Sequence, residues 1–212
     1  GWVMEYYVGK DYSLGGITLL CKFDGQRVTM ASQIAGADET VSSLYSVKSE
    51  QATMLSFDTY NYLVHYFGQP QGSMADDPNG TLGGDYEFVI SDATADRIEL
   101  KGKKYGNRIV MKAFSADQTW KQYLTRIKKV EDDAFFYEYD LRMDGLYTGQ
   151  MLRSNYTFIV TYYDEVGKVH QKTVPFMFTT DGMRFHEPVT IDGQTMQNFV
   201  WKNEEIRSEE HT

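Results

Sequence analysis

Hydrophobic and polar residues alternate with a period of two along most of this chain, the pattern of half-buried β-strands. In Asp85-Tyr86-Glu87-Phe88-Val89-Ile90, the residues Tyr86, Phe88 and Ile90 share one face. In Arg97-Ile98-Glu99-Leu100-Lys101, Ile98 and Leu100 face one way and the charges the other. Residues 108–112 follow after a short glycine-containing connection. Residues 135–143, 146–153, 155–163, 168–178, 183–191 and 195–202 continue the series, each rich in Tyr, Phe, Val, Ile or Thr. Asp-Gly pairs at 24–25, 144–145, 181–182 and 192–193 fall between strand-like runs. They suit type I′ hairpin turns, whose two central residues both need positive φ. The prediction is a mainly antiparallel, meandering sheet.

Two helical patterns interrupt it. Over 59–67, Tyr60, Leu63, Val64 and Phe67 form an apolar stripe, with Asp58 as cap and Gly68 as stop. Over 116–130, Trp120, Tyr123, Leu124, Ile127 and Val130 form another, preceded by Ser115 and Gln118 as a capping box. About eight strands precede this second helix and about six follow it. So many strands rarely stay in one open twisted sheet. The expected fold is therefore mainly β, with antiparallel meandering strands forming two barrel- or sandwich-like halves and two helices. The expected division is 1–114 for an N-terminal β half with the short helix, 115–134 for a connecting helix and 135–212 for a C-terminal β half, the whole packed as one unit.

Composition refines this picture at a few points. Aromatic residues make up 15% of the 212 residues, from 16 Tyr, 12 Phe and 3 Trp. The net charge of -9 argues against nucleic acid as a partner. That charge is unevenly spread: residues 97–129 hold ten basic and two acidic side chains, against four and thirteen in 1–96 and seven and fifteen in 130–212. Cys21 is the only cysteine, so an internal disulfide and a cysteine zinc site are excluded, and its apolar neighbours predict a buried thiol. No run of about 18 apolar residues suggests a membrane span. The chain opens directly in the strand-like Gly1-Trp2-Val3-Met4-Glu5-Tyr6-Tyr7, as a trimmed mature domain would.

Motifs of catalysis are sparse. His65, His170, His186 and His211 show no ligand spacing, so neither a metal nor another cofactor is expected. Asp85/Glu87 and Glu138/Asp140 are carboxylates at i, i+2. A glycoside hydrolase needs two such groups facing across a cleft, yet the polar side of any half-buried strand yields the same spacing. No nucleophile elbow, phosphate loop or dinucleotide fingerprint is present. The glycine-rich stretch 68–85 is long enough to suggest a functional loop, and Asp76-Asp77-Pro78-Asn79-Gly80 within it lacks calcium-loop spacing. Beside it, Tyr62 and Tyr66 at i, i+4 leave the apolar stripe and suit stacking on a sugar or anchoring a partner. Lys103, Lys104 and Arg108 surround a hairpin and suit an anionic group, or else pair with the acidic remainder of the domain.

Several strings occur together in order: Gly1–Tyr7, Tyr45-Ser46-Val47-Lys48-Ser49, Leu55-Ser56-Phe57-Asp58-Thr59-Tyr60-Asn61, Gly83-Gly84-Asp85-Tyr86-Glu87-Phe88, Leu100-Lys101-Gly102-Lys103-Lys104 with Gly106-Asn107-Arg108, and Thr180-Asp181-Gly182-Met183-Arg184-Phe185 with Phe199-Val200-Trp201. As a set this resembles a domain-of-unknown-function family of secreted lipoproteins from gut Bacteroidetes. The resemblance implies a place in the cell envelope, periplasm or cell surface, with membrane attachment only through a lipid anchor that this chain does not contain. It transfers no catalytic residue. Gly1 and Trp2 on a first strand also resemble lipocalin-like barrels.

The reading that follows is a non-catalytic cell-envelope binding protein whose ligand is a glycan or other small molecule. The alternative is a structural or assembly lipoprotein that uses the basic block to bind another envelope protein. A glycoside hydrolase is the least favoured reading. The candidate ligand-binding residues are Tyr62, Tyr66, Lys103, Lys104 and Arg108.

Overall fold

The computed structural model of the chain describes residues 1–49, 51–70, 80–164, 166–191, 193–202 and 205–208. It divides into two compact units. The first comprises Gly1–Tyr12 and Ile17–Thr125, the second Ser13–Gly16 and Arg126–Thr212. The division falls inside the second helix.

In the first unit, eight strands form a closed antiparallel barrel: β1 (Trp2–Tyr7), β2 (Gly16–Asp24), β3 (Arg27–Ser32), β4 (Val41–Ser49), β5 (Thr53–Phe57), β6 (Glu87–Ala93), β7 (Arg97–Gly102) and β8 (Arg108–Ala113). Each strand pairs with the next, and β1 pairs with β8 from Trp2↔Ala113 to Tyr6↔Ile109 to close the cylinder. Eight strands leave an interior about wide enough for side chains to fill. Met4, Tyr6, Leu19, Met30, Phe57 and Phe88 are fully buried. The Tyr6, Phe57 and Phe88 rings meet edge to face, with centroids 5.8 and 6.3 Å apart. Val3, Leu20, Ala31 and Leu124 form a further cluster flanked by Phe114, Trp120 and Tyr123.

The second unit carries seven antiparallel strands in one sheet: β9 (Glu138–Met143), β10 (Leu146–Ser154), β11 (Thr157–Tyr163), β12 (Val169–Phe178), β13 (Gly182–Ile191), β14 (Gln194–Lys202) and β15 (Glu205–Ser208). Its core is a run of phenylalanines. Phe158 stacks on Phe176 at 4.3 Å, and Phe185 packs on Phe199 at 4.6 Å. Much of the aromatic surplus is thus core material. The fold class and meander match the alternation in the sequence. At Asp144-Gly145 both turn residues have positive φ, 50° and 80°, as a type I′ turn requires.

Both helices differ from their expected caps. Helix α1 is short, Tyr62–His65, and its cap is Asn61 rather than Asp58: Leu63 N–H donates to Asn61 Oδ1 at 3.2 Å. Helix α2 runs Trp120–Asp133. Its capping box is Thr119 and Gln122 rather than Ser115 and Gln118. Gln122 N–H donates to Thr119 Oγ1 at 3.2 Å, and Thr119 N–H to Gln122 Oε1 at 2.8 Å. The same spacing four residues later won because Ser115 Oγ donates to Asp117 instead. The apolar stripe of α2 is as expected, with Leu124, Ile127 and Val130 buried.

Candidate functional site

The later start of α1 changes what its aromatics do. Leu63, Val64 and Phe67 are buried, as the stripe predicted. Tyr60 precedes the cap, leaves the stripe and is 62% exposed. Its ring lies 5.6 Å from the His65 imidazole, which stacks on Tyr86 at 4.6 Å with 22° between planes. Tyr86, the residue before β6, is 41% exposed. Asn61 N–H donates to His65 Nδ1 at 3.2 Å, so the middle ring is held by the helix cap itself. Three rings from two segments thus form one cluster, exposed at Tyr60 and Tyr86 and half-buried at His65, in which Tyr60 is tilted by 42° against the imidazole.

This platform stands at the base of the loop that the sequence singled out. Gly84 N–H donates to Phe67 O at 2.9 Å, pinning the two ends of the loop together. A β-carbon on Gly84 would lie 2.3 Å from Phe67 Cβ, and one on Gly68 would lie 3.1 Å from the Tyr86 ring. Only glycines permit this approach. Residues 71–79, including Asp76, Asp77, Pro78 and Asn79, lie outside the described residues.

The two tyrosines expected to act together have different surroundings. The Tyr62 hydroxyl donates to Glu39 Oε1, which pushes its pKa up to about 12. Tyr66 is 43% exposed and meets Phe67 edge-on at 5.3 Å. The residues missed by sequence reading are Tyr60, His65 and Tyr86. The signal for them was Asn61, an equally good cap three residues beyond Asp58.

The basic hairpin between β7 and β8 is organised around an internal anion. The Asp85 carboxylate is buried there. Its Oδ1 accepts from Lys104 N–H at 2.7 Å and Tyr105 N–H at 3.0 Å, and its Oδ2 accepts from Asn107 N–H at 3.1 Å. The Tyr6 hydroxyl donates to Asp85 O at 2.8 Å and accepts from Asp85 N–H at 2.7 Å. Burial, then the nearby Asp85 charge, raises the Tyr6 pKa well above its ordinary value. Lys103 pairs with Glu87 at 3.1 Å, Arg108 with Glu99 at 3.8 Å, and Lys104 lies over the Tyr105 ring at 4.6 Å. Of the ten basic residues in 97–129, eight (Arg97, Lys103, Arg108, Lys112, Lys121, Arg126, Lys128 and Lys129) meet a carboxylate. The basic block therefore sits among its own counter-charges.

The carboxylate pairs divide in the same way. Asp85 is held by backbone amides while Glu87 holds Lys103. Asp140 pairs with Arg142 at 2.9 Å and Glu138 is exposed. Among the described residues no cluster of three His, Cys, Asp or Glu could hold a metal ion, and no helix is long and apolar enough to cross a membrane.

Searches of the curated proteins and of the solved structures return no match to this chain. A family model does match, over residues 1–203, and is described as a domain of unknown function. On that match, which spans nearly all of the sequence, the chain belongs to the DUF4302 family.

Proposed function

We propose that this chain is a non-catalytic binding module of the cell envelope that holds a glycan or similar small ligand on Tyr60, His65 and Tyr86. The observation that carries the reading is the cluster at the pinned base of the 68–84 loop, where Tyr86 stacks on His65 and the exposed Tyr60 lies tilted beside it. The C–H face of a pyranose carries partial positive charge and complements the negative face of an aromatic ring. Tyrosines supply such area at low entropy cost, because only two side-chain torsions must be fixed. The cap bond to His65 and the Gly68 contact beneath Tyr86 fix two of the rings before any ligand arrives. The envelope setting is supported by the resemblance to secreted lipoproteins. An assembly role through the basic block has less support, because Lys103 and Arg108 already meet carboxylates of their own unit.

The test is an array of neutral and acidic polysaccharides probed with the native chain and with Tyr60→Ala/Tyr86→Ala. The reading expects binding that the double variant loses while its melting temperature is retained. Binding that survives the double substitution would show that these rings do not hold the ligand.

A further inference from the structure

The cluster of Tyr60, His65 and Tyr86 carries polar atoms as well as ring faces, and the cap of α1 decides what those atoms offer. The Asn61 carbonyl accepts from Val64 N–H at 3.1 Å and from His65 N–H at 2.8 Å, so both of its lone pairs are engaged. His65 Nδ1 lies 3.2 Å from Asn61 N and 3.0 Å from Asn61 O. Asn61 is fully buried, and a buried N–H needs an acceptor. An unprotonated Nδ1 supplies it. A protonated Nδ1 would set two N–H groups against each other and ask a third bond of the carbonyl. The bond at one ring nitrogen fixes the state of the other. The neutral imidazole therefore carries its proton on Nε2.

That Nε2–H is free for a ligand. Among the described residues nothing accepts from it, and it is not one of their buried unpartnered atoms, so solvent reaches it. The hydroxyls of the exposed Tyr60 and Tyr86 also have no partner among the described residues. A phenol donates or accepts, whereas Nε2–H only donates. The group that satisfies all three is one that only accepts. The carboxylates nearest along the chain do not compete for this role. Asp58 pairs with Lys48 at 3.7 Å, Glu87 pairs with Lys103 at 3.1 Å, and Asp85 is held by backbone N–H groups. The negative charge on the rest of the chain is screened beyond about 8 Å at physiological salt.

We propose that His65 determines the specificity of this cluster and that its ligand is an acidic glycan, a uronic-acid polymer whose carboxylate accepts from His65 Nε2–H. This inference rests on the reading of the cluster as a glycan site and narrows it to one chemical class. A sugar hydroxyl could also accept from Nε2–H, but a hydrogen bond to an ionised acceptor is about twice as strong as a neutral one. The cluster thus divides its work: the tyrosine rings hold a sugar face, and the imidazole N–H selects the acid.

Two measurements on the whole chain test this. The first needs no ligand: a long-range proton–nitrogen NMR spectrum above neutral pH should show His65 with its proton on Nε2, and a proton on Nδ1 would overturn the proposal. The second compares matched probes, oligogalacturonate and its methyl ester, which share a backbone and differ in charge. The native chain should bind the acid about fivefold or more tightly than the ester. His65→Phe keeps a ring beside Tyr86 but has no N–H, and its preference should fall to near unity. A merely structural role of His65 would weaken both probes alike and leave their ratio unchanged, which would overturn the proposal. Equal binding of acid and ester by the native chain, or binding of neutral polysaccharides alone on the array, would overturn the acid while leaving the rings as the site. A chain that binds nothing on the array overturns the glycan reading and this inference with it. Should His65→Phe fail to fold, the NMR spectrum and the acid-to-ester ratio of the native chain still decide.

Discussion

A β-carbon on Gly102 would lie 1.8 Å from Asp85 Oδ2, so the last residue of β7 is shaped to admit the carboxylate of a residue 17 positions earlier. Asp85 follows directly on the 68–84 loop. Its side chain fastens the end of that loop to the β7–β8 hairpin through three backbone N–H groups.

Removing that acceptor leaves three hydrogen-bond donors behind. Asp85→Ala should therefore destabilise the chain by about 2 kcal/mol, since an abandoned buried donor such as Asn107 N–H costs ~1–3 kcal/mol and the part-buried Lys104 and Tyr105 N–H groups cost less. Gly102→Ala should also destabilise, since the new methyl displaces the carboxylate. Urea denaturation reads both. If Asp85→Ala fell within about 0.5 kcal/mol of the parent, the carboxylate would have no part in fixing the loop.

The cap of α2 offers a second quantity. Thr119→Ala removes the hydroxyl that accepts Gln122 N–H and should cost about 1 kcal/mol. Ser115→Ala, at the position the sequence first suggested, should cost less. Thermal denaturation of the two variants side by side decides the order.

Asp164 provides a pH dependence. A hydrogen bond from His170 Nε2 at 2.9 Å, followed by bonds from the Lys168 and Val166 backbone N–H groups, lowers its pKa below the ordinary carboxylate value. A carboxylate depressed in the folded state adds stability above its unfolded pKa, and that stability is lost as pH falls through the folded value. The window lies at and below the ordinary Asp range. His170→Gln should raise the Asp164 pKa, read from the carboxyl carbon shift in an NMR titration. An unchanged titration would remove His170 as the main cause.

Cys21 should be inert in the folded protein. It is fully buried on β2, and burial pushes its thiol far up. A thiol reagent should label it only as the first unit unfolds, in step with loss of ellipticity. Labelling at full native signal would contradict its place in the barrel.

These results show which parts of the structure the sequence carried openly. Strand alternation and Asp144-Gly145 act over a few residues, so the meander was legible. The expected open or closed state of each half was not, because the β1–β8 closure joins residues about a hundred positions apart. Asp181-Gly182 shows how a local signal changes meaning in context. Gly182 begins β13, where a β-carbon would lie 1.9 Å from Phe199 O, so close strand approach accounts for it rather than a positive-φ turn. For the candidate site, Tyr62 and Tyr66 were visible as a helical pair. The Tyr60–His65–Tyr86 stack was not, because it depends on a cap three residues later and on a strand entering from beyond the loop.

Ligand is proposed to rest on the Tyr60–His65–Tyr86 cluster. An NMR titration with a polysaccharide that scores on the array tests it most directly, following the ring signals of His65, Tyr60 and Tyr86. Saturable shifts of these rings are expected, with loss of binding in Tyr86→Ala and full binding in Tyr62→Phe, which removes only the bond to Glu39. Shifts confined to other residues, or equal affinity in Tyr86→Ala and the parent chain, would contradict it.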